Sequence, residues 1–166
     1  MSEYEITSLV MSEHDAFRRA FADLDQADDP GAAWADLAAR LEVHAVAEER
    51  LFYPVLADEA DNGVEDGKTA VREHNDIRHA VRAVDGHEVG SPSWREAIAN
   101  AQQVNGDHMA EEEREFMPEF KTAVDADRRD ELGMEWLRLH DEHEHARGLS
   151  GADADPQAVV DAEPPL

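Results

Sequence analysis

A histidine-led segment occurs twice in this chain. Residues 44–54 and 108–118 each begin with His, carry Glu four and five positions later, and then have Arg at six, Phe at eight and Pro at ten. A shorter pair precedes them, because residues 13–21 and 73–81 both open with Glu-His and share Arg and Ala at the same places. The order indicates a duplicated helical hairpin in which each copy carries His, His and Glu. Two copies of such a half-site are what a two-metal centre requires.

Apolar residues recur every three or four positions, which is the period of an amphipathic α-helix. The pattern predicts four long helices, at about 3–26, about 32–58, about 64–85 and from Ser91 or Ser93 to Phe120, and a fifth at about 127–147. No stretch of the first 147 residues alternates with period two, so no sheet is expected. The sequence therefore predicts an all-α, up-down-up-down four-helix bundle with an extra C-terminal helix.

These helices divide the chain into three parts. Residues 1–125 are predicted to form the four-helix metal-binding domain, whose two copies span 5–60 and 64–125. Residues 126–147 are the C-terminal helix. Residues 148–166 are acidic and contain proline, and this composition predicts a disordered tail.

Six residues are the candidate metal ligands. They fall near the middle of the four long helices, on the apolar faces, and are His14, His44, Glu48, His74, His108 and Glu112. A single histidine on an apolar face is more often a structural core residue than a ligand. Burying two carboxylates without a partner, however, costs several kcal/mol each, and cations would turn that cost into coordination. Since the chain has no cysteine, the ligands must be nitrogen and oxygen atoms.

Other polar residues of the repeat are predicted to have lesser roles. Glu49, Glu113, Arg50 and Arg114 should point away from the ligand face and form surface charge. The pattern leaves open whether Glu13, Asp15, Glu73 and Asn75 support the ligands, cap helices or are simply solvated. His140, His143 and His145 lie among acidic residues and are predicted to form a solvated face. His79 should miss the centre, because it lies about 140° around the helix from His74, and His87 is in a loop.

The charge of the chain limits its partners. The formal net charge is −25, with only two lysines, which argues against binding to nucleic acid or to an anionic membrane surface. No apolar run approaches the length of a membrane span and no secretory signal is visible, so a cytoplasmic location is expected. Acid-rich, lysine-poor composition favours a halophilic protein over one that is merely acidic.

The ordered set of ligand candidates, with Phe-x-Pro after each His-x3-Glu pair, resembles the hemerythrin-like HHE cation-binding domain over roughly residues 5–125. This resemblance implies a four-helix bundle around a non-haem di-iron centre with an oxo or hydroxo bridge, with iron preferred over zinc or manganese. It further implies that His14 and His44 bind one iron, that His74 and His108 bind the other, and that Glu48 and Glu112 bridge them.

One position departs from the oxygen-carrying hemerythrins. Those proteins have a further histidine one turn after the third-helix ligand, and this chain has Arg78 there. The expected function is therefore action on small ligands derived from O2, such as peroxide decomposition, with no catalytic residue assigned beyond the ligands. Binding, storage or sensing of O2, NO or iron is an alternative, as is a bundle with structural zinc. The oligomeric state stays open, and a ferritin-like centre is rejected because it needs two Glu-x-x-His pairs.

The charge generates a prediction about salt. Mutual repulsion among the acidic side chains is screened over roughly 3 Å in molar salt. The midpoint of thermal unfolding of the metal-free protein should therefore rise steeply as potassium chloride approaches molar concentration. Unfolding followed by circular dichroism across a salt series checks this, and a flat series would contradict the halophilic interpretation.

Overall fold

The computed structural model describes residues 2–165, and within them the chain forms eight α-helices and no strand. The helices are α1 (Ile6–Asp23), α2 (Pro30–Ala47), α3 (Tyr53–Glu59), α4 (Gly63–Val84), α5 (Pro92–Glu111), α6 (Met117–Ala123), α7 (Ala126–Glu142) and α8 (Pro156–Asp161). Two π-helical turns, Glu48–Phe52 and Glu112–Phe116, join α2 to α3 and α5 to α6. Shorter 3-10 turns follow α1 at Leu24–Gln26 and α7 at Glu144–Ala146. The predicted all-α bundle is confirmed. In the described part of the chain, every helix is too short or too polar to cross a membrane.

Side-chain caps and prolines mark where the helices begin. Asp29, Ser91 and Asp125 each accept a hydrogen bond from a backbone N–H of the first turn. Such caps satisfy donors that the helix itself leaves unpaired. Pro30 and Pro92 follow at the first helical position, where a missing N–H costs nothing. The sequence left two serines open as the cap of the fourth long helix, and the structure selects Ser91.

Both π-helical turns begin at a glutamate of the repeat and end two residues before a proline. Pro54 cannot donate to the carbonyl of Arg50, and in a regular α-helix its ring would collide with that carbonyl. A wider turn relieves the collision, and Pro118 repeats the arrangement. A proline inside a helix commonly bends or ends it at the proline itself. The irregularity instead lies before the proline, in the turn that carries Glu48, and the helix continues to Glu59.

Two apolar clusters fill the interior of the bundle. One includes Ile6, Val10, Phe52, Val71, Phe116 and Phe120, and the other includes Phe17, Phe21, Leu41, Ala80 and Ile98. Along each long helix, the repeated His or His/Glu positions fall between the residues of the two clusters. A polar layer therefore crosses the bundle near its middle, with apolar packing on both sides.

Helix α7 packs along α1 and α2, outside the four-helix unit. Leu132 and Trp136 are the buried centre of this contact. Gly133 allows α7 to approach the start of the chain closely, because a Cβ atom there would lie 1.8 Å from the carbonyl oxygen of Tyr4. Helix α7, which the sequence predicted as the fifth long helix, is thus fixed against α1.

The sequence predicted a disordered tail at residues 148–166. In the structure, residues 148–165 pack against the bundle instead. Asn75 on α4 holds the backbone of Ala154 twice, donating to its carbonyl at 2.8 Å and accepting from its N–H at 2.9 Å. His79 and Arg82 of α4 both pair with Asp153. Val160 of α8 is buried against α3 and α4. The composition of the tail shows that it is acidic, but it cannot show that basic side chains of α4 pair with those acidic residues.

Candidate metal centre

Six buried side chains meet in the polar layer. They are the residues that the sequence proposed as ligands, His14, His44, Glu48, His74, His108 and Glu112, and each is between 0 and 5 % exposed. Their nitrogen and oxygen atoms form two groups, within each of which all atoms lie within 4.8 Å of one another. The first group is His14, His44, Glu48 and Glu112, and the second is Glu48, His74 and His108.

Glu48 belongs to both groups because its two oxygens face opposite ways. Oε1 lies 3.1 Å from His44 Nε2, and Oε2 lies 3.0 Å from His74 Nε2. The π-helical turn that starts at Glu48 places this carboxylate between α2 and α4. One carboxylate with an oxygen toward each pair of histidines has the arrangement of a bridge.

Glu112 occupies the corresponding place in the second copy. Its Oε2 lies 3.3 Å from His14 Nε2 and 3.7 Å from His108 Nε2. The inner nitrogens of His74 and His108 are 3.1 Å apart. Each copy thus contributes two imidazoles and one carboxylate to a single layer.

Several of these buried atoms lie close to one another but make no hydrogen bond of acceptable geometry. Within the described residues, they include the Nε2 atoms of His14 and His44, Oε1 of Glu48 and Oε2 of Glu112. Unsatisfied buried polar atoms cost about 1–3 kcal/mol each, and more when charged. These four belong to the same group of converging atoms. Two imidazoles and two carboxylates whose unpaired atoms converge on one point are a donor set for a cation, so the residues fit a metal.

The outer ring nitrogen, Nδ1, of each of the four histidines contacts a glutamate. The Nδ1 atoms pair with carboxylate oxygens at 2.7–3.0 Å, in the pairs His14–Glu113, His44–Glu13, His74–Glu49 and His108–Glu73. In each copy, the first histidine uses a glutamate from the other copy, whereas the second uses a glutamate from its own. When Nδ1–H donates to a carboxylate, Nε2 faces inward as the free ligand atom.

These four pairs show that the prediction of Glu49 and Glu113 as surface charge is wrong. Glu49 is buried, and Glu113 is only partly exposed. A helical wheel places both away from the ligand face of their own helix, and that much is right. Each of these glutamates, however, faces a neighbouring helix and contacts the Nδ1 atom of a histidine on it. For Glu13 and Glu73, which the sequence left undecided, the structure shows the supporting role.

Arg78 lies one turn after His74 but does not face the centre. Its guanidinium donates to Glu49 at 2.8 and 3.0 Å and to Glu42 at 3.0 Å. Arg18 contacts Glu113 in the same way in the other copy, at 2.8 Å, but is much more exposed. Oxygen-carrying hemerythrins have a further histidine at this position. The arginine that stands here instead binds Glu49, one of the glutamates that support the histidines.

Tyr53 is a component of the site that sequence reasoning missed. It is fully buried, and its hydroxyl oxygen lies 3.1 Å from Glu48 Oε2 and 3.2 Å from both Glu112 Oε1 and His74 Nε2. The matching residue of the second copy is Met117. A polar residue at a position where the other copy has an apolar one was the available signal.

Helix α7 also reaches the site. Trp136 Nε1 donates to Glu13 Oε1 at 2.9 Å, and His140 Nε2 lies 2.8 Å from the same oxygen. The indole ring packs edge-on against His44, with centroids 5.4 Å apart. His140 was predicted to be on a solvated face, and this is wrong because α7 turns that residue towards α1.

The remaining histidines lie outside the layer. His143 bonds the carbonyl of Arg147, and His145 is 75 % exposed. His79 pairs with Asp153 of the tail, and His87 is exposed. None of these four belongs to either group of converging atoms in the described part of the chain.

Ionised carboxylates and protonated imidazoles stabilise one another in the layer. Burial lowers the pKa of His108, but contacts with Glu48 and Glu73 outweigh it and raise this pKa to about 10. The same balance raises the pKa of His44 well above its usual value. Burial raises the pKa of Glu48, yet attraction to His44 and the neighbouring histidines holds it well below its usual range. A cation must therefore displace protons from these histidines, since only the neutral imidazole binds a metal.

The fold and this layer define a four-helix bundle with a buried histidine–carboxylate centre suited to cations. The family model of the hemerythrin HHE cation binding domain matches residues 5–120. The chain therefore belongs to the hemerythrin HHE family, and the resemblance noted from its motifs is confirmed. No curated protein and no solved structure matches the chain significantly. The family and the buried cluster together indicate metal binding.

The raised pKa of His108 predicts how the stability of chelator-treated protein depends on pH. The folded-state value of about 10 lies above the unfolded value of about 6.5. The stabilisation from its proton is then complete below about pH 6.5 and is lost as the pH rises towards 10. Urea unfolding of metal-free protein at several pH values should show this loss, and His108→Gln should reduce the slope. An unchanged slope in the variant would contradict the assignment.

Proposed function

We propose that this protein binds two iron ions between its histidine pairs and acts on small ligands derived from O2, with peroxide decomposition as the reaction. The observation that carries the proposal is the position of Glu48, whose two oxygens lie 3.1 and 3.0 Å from histidines of opposite pairs. A carboxylate placed in this way can serve two cations at once. The family match supports cation binding by this domain.

The donor set favours iron over structural zinc. Structural zinc sites are closed tetrahedra, usually rich in thiolate. Here four imidazoles and two carboxylates would serve two ions, and the chain has no cysteine. Imidazole with carboxylate suits iron, and too few ligands are present to close two separate zinc sites. Iron, when bound, would supply the redox chemistry that the side chains themselves lack.

The protein's own residues would orient the centre and limit its access to water. The four supporting glutamates fix the histidine rings, so that Nε2 faces inward in each case. Phe17 packs edge-on against His44, with centroids 5.1 Å apart, and is 1 % exposed. Tyr53 places a hydroxyl donor at the middle of the layer, where it can hydrogen-bond to a carboxylate or to a small oxygen ligand.

A cavity of about 260 Å³ between α2 and α4 has the size expected for access by small ligands. Its wall includes His74, and most of the remaining lining is apolar, including Ala38, Ala45, Ile77 and Val81. Pockets for organic ligands typically occupy about 300–1,000 Å³. A small, largely apolar space whose wall includes a proposed ligand favours O2, peroxide or NO over a larger substrate.

The position of Arg78 favours turnover over reversible O2 carriage. Since Arg78 is held by Glu49 and Glu42, the His74–His108 pair gains no further histidine from α4. Each half of the centre then has two histidines and shares the carboxylates, which leaves room for an exogenous ligand on both sides. A module that binds O2, NO or iron without turnover is the alternative, because the same centre would serve it.

The first test is metal content. Protein loaded anaerobically with ferrous iron should hold close to two irons per chain, and Glu48→Ala should lose both together because this residue serves both halves. His145→Ala is the matched control and should keep its iron. Elemental analysis of the desalted proteins decides between these outcomes. Zinc retention with no iron uptake would overturn the di-iron proposal.

The second test is turnover. Oxidised iron-loaded protein should release O2 from hydrogen peroxide, with one peroxide oxidised to O2 and another reduced to water. The reduced protein should oxidise irreversibly in air. An oxygen electrode and stopped-flow absorbance measure these reactions, with Glu48→Ala and an equal amount of free iron as controls. A reversible spectral change with O2 and no O2 evolution would favour the binding module.

A further inference from the structure

The two groups of converging atoms differ in their number of donors. The first group has four, from two histidines and two glutamates, whereas the second has three, from Glu48, His74 and His108. The hydroxyl of Tyr53 lies beside the second group, and the same position of the other copy is Met117. A polar side chain that the duplication does not repeat therefore lies beside the group that has fewer donors.

The π-helical turn brings Tyr53 to the face of Glu48. In a regular α-helix, a residue five positions after Glu48 would lie about 140° around the axis from it. Here the backbone N–H of Tyr53 bonds the carbonyl of Glu48, which is the bond of a π-helix and stacks the two residues on one face. The Tyr53 side chain is fully buried as a result, and its hydroxyl oxygen lies 3.1 Å from Glu48 Oε2.

The hydroxyl of Tyr53 has more neighbours than one hydrogen bond can use. Its oxygen lies 3.1 Å from Glu48 Oε2, 3.2 Å from Glu112 Oε1 and 3.2 Å from His74 Nε2. A phenol has one proton to donate, so it can satisfy only one acceptor at a time. When His74 is neutral and its Nδ1–H donates to Glu49, its Nε2 is an acceptor too. The oxygen therefore lies where inner ligand atoms meet.

The spacing of these atoms is that of donors around one ion. With bonds of about 2.1 Å, donors at right angles lie about 3.0 Å apart and donors on opposite sides about 4.2 Å apart. His74 Nε2 lies 3.0 Å from Glu48 Oε2, 3.1 Å from His108 Nε2 and 3.2 Å from the hydroxyl oxygen of Tyr53. Glu48 Oε2 lies 3.1 Å from that oxygen and 4.0 Å from His108 Nε2. These five distances fit four positions of one octahedral ion.

We propose that the Tyr53 oxygen is the fourth ligand of the iron ion in the second group, beside His74, His108 and Glu48. Both groups then have four donors. Tyrosine oxygen is a ligand that proteins use for iron. As Tyr53 binds, its O–H bond breaks, the proton leaves to solvent and the oxygen bonds the ion. This inference rests on the iron centre of the proposed function but not on its reaction.

The colour of the oxidised, iron-loaded protein tests the proposal. Wild type should show a visible absorption band from charge transfer between phenolate and ferric iron. Resonance Raman excitation in that band should enhance the ring vibrations of a phenolate, which imidazole and carboxylate ligands do not have. The metal-free protein should lack the band, because burial and the carboxylates of Glu112 and Glu48 raise the pKa of Tyr53 well above its usual value. Iron-loaded wild type without phenolate vibrations overturns the proposal.

The chain supplies a matched control, because it has only two tyrosines, and the other, Tyr4, is 55 % exposed. Tyr53→Phe removes one oxygen atom and should lose the band and the phenolate vibrations completely. Tyr4→Phe should keep both at the wild-type intensity. A band that persists in Tyr53→Phe overturns the assignment. If Tyr53→Phe holds no iron, vibrations retained in Tyr4→Phe still assign the ligand to Tyr53, and vibrations lost in Tyr4→Phe overturn it.

These measurements also separate this inference from the proposed function. The spectra are recorded on ferric protein without peroxide. A protein with phenolate vibrations that releases no O2 would support the Tyr53 ligand and contradict peroxide decomposition. A two-iron protein that releases O2 but lacks these vibrations would do the reverse. Protein that binds no iron would overturn the inference and the iron centre together.

Discussion

The structure depends on how two carboxylates are accommodated at the centre of an apolar bundle. Glu48 and Glu112 are fully buried, and a buried carboxylate without partners costs several kcal/mol. Four imidazoles surround them, and four further glutamates hold those imidazoles from behind. Apolar clusters pack on either side of this layer. A slip of any long helix by one turn would move a charged group into an apolar cluster, so the layer fixes the register of the bundle.

Duplication explains how one short chain builds the whole layer. Each copy provides a π-helical turn that begins at its inner glutamate and relieves the proline that follows. Each copy also lends a glutamate to the other copy's first histidine. The layer is therefore complete only when both copies pack together. The converging atoms that make no hydrogen bond of acceptable geometry further couple the stability of the fold to cation binding.

Two segments that follow the duplicated unit in the chain pack against different pairs of its helices. Helix α7 contacts α1 and α2 and reaches Glu13. The tail lies over α4 and, with α2, encloses the side on which Arg78 is buried. A centre that the duplication would leave symmetric thus acquires two different halves. Differences of this kind arise outside the inner ligands, through charge and hydrogen bonding to the residues that support them.

The sequence by itself determined the helices, the bundle class and the six residues that meet in the layer. These follow from periodicity along single helices, and the repeat showed each feature twice. Only the tertiary structure decided the roles of Glu49, Glu113, Tyr53 and His140 and the course of the tail. Their partners on other helices lie between 21 and 127 positions away in the chain. A helical pattern gives the direction of a side chain about its own axis, whereas its partner depends on which helices pack beside it.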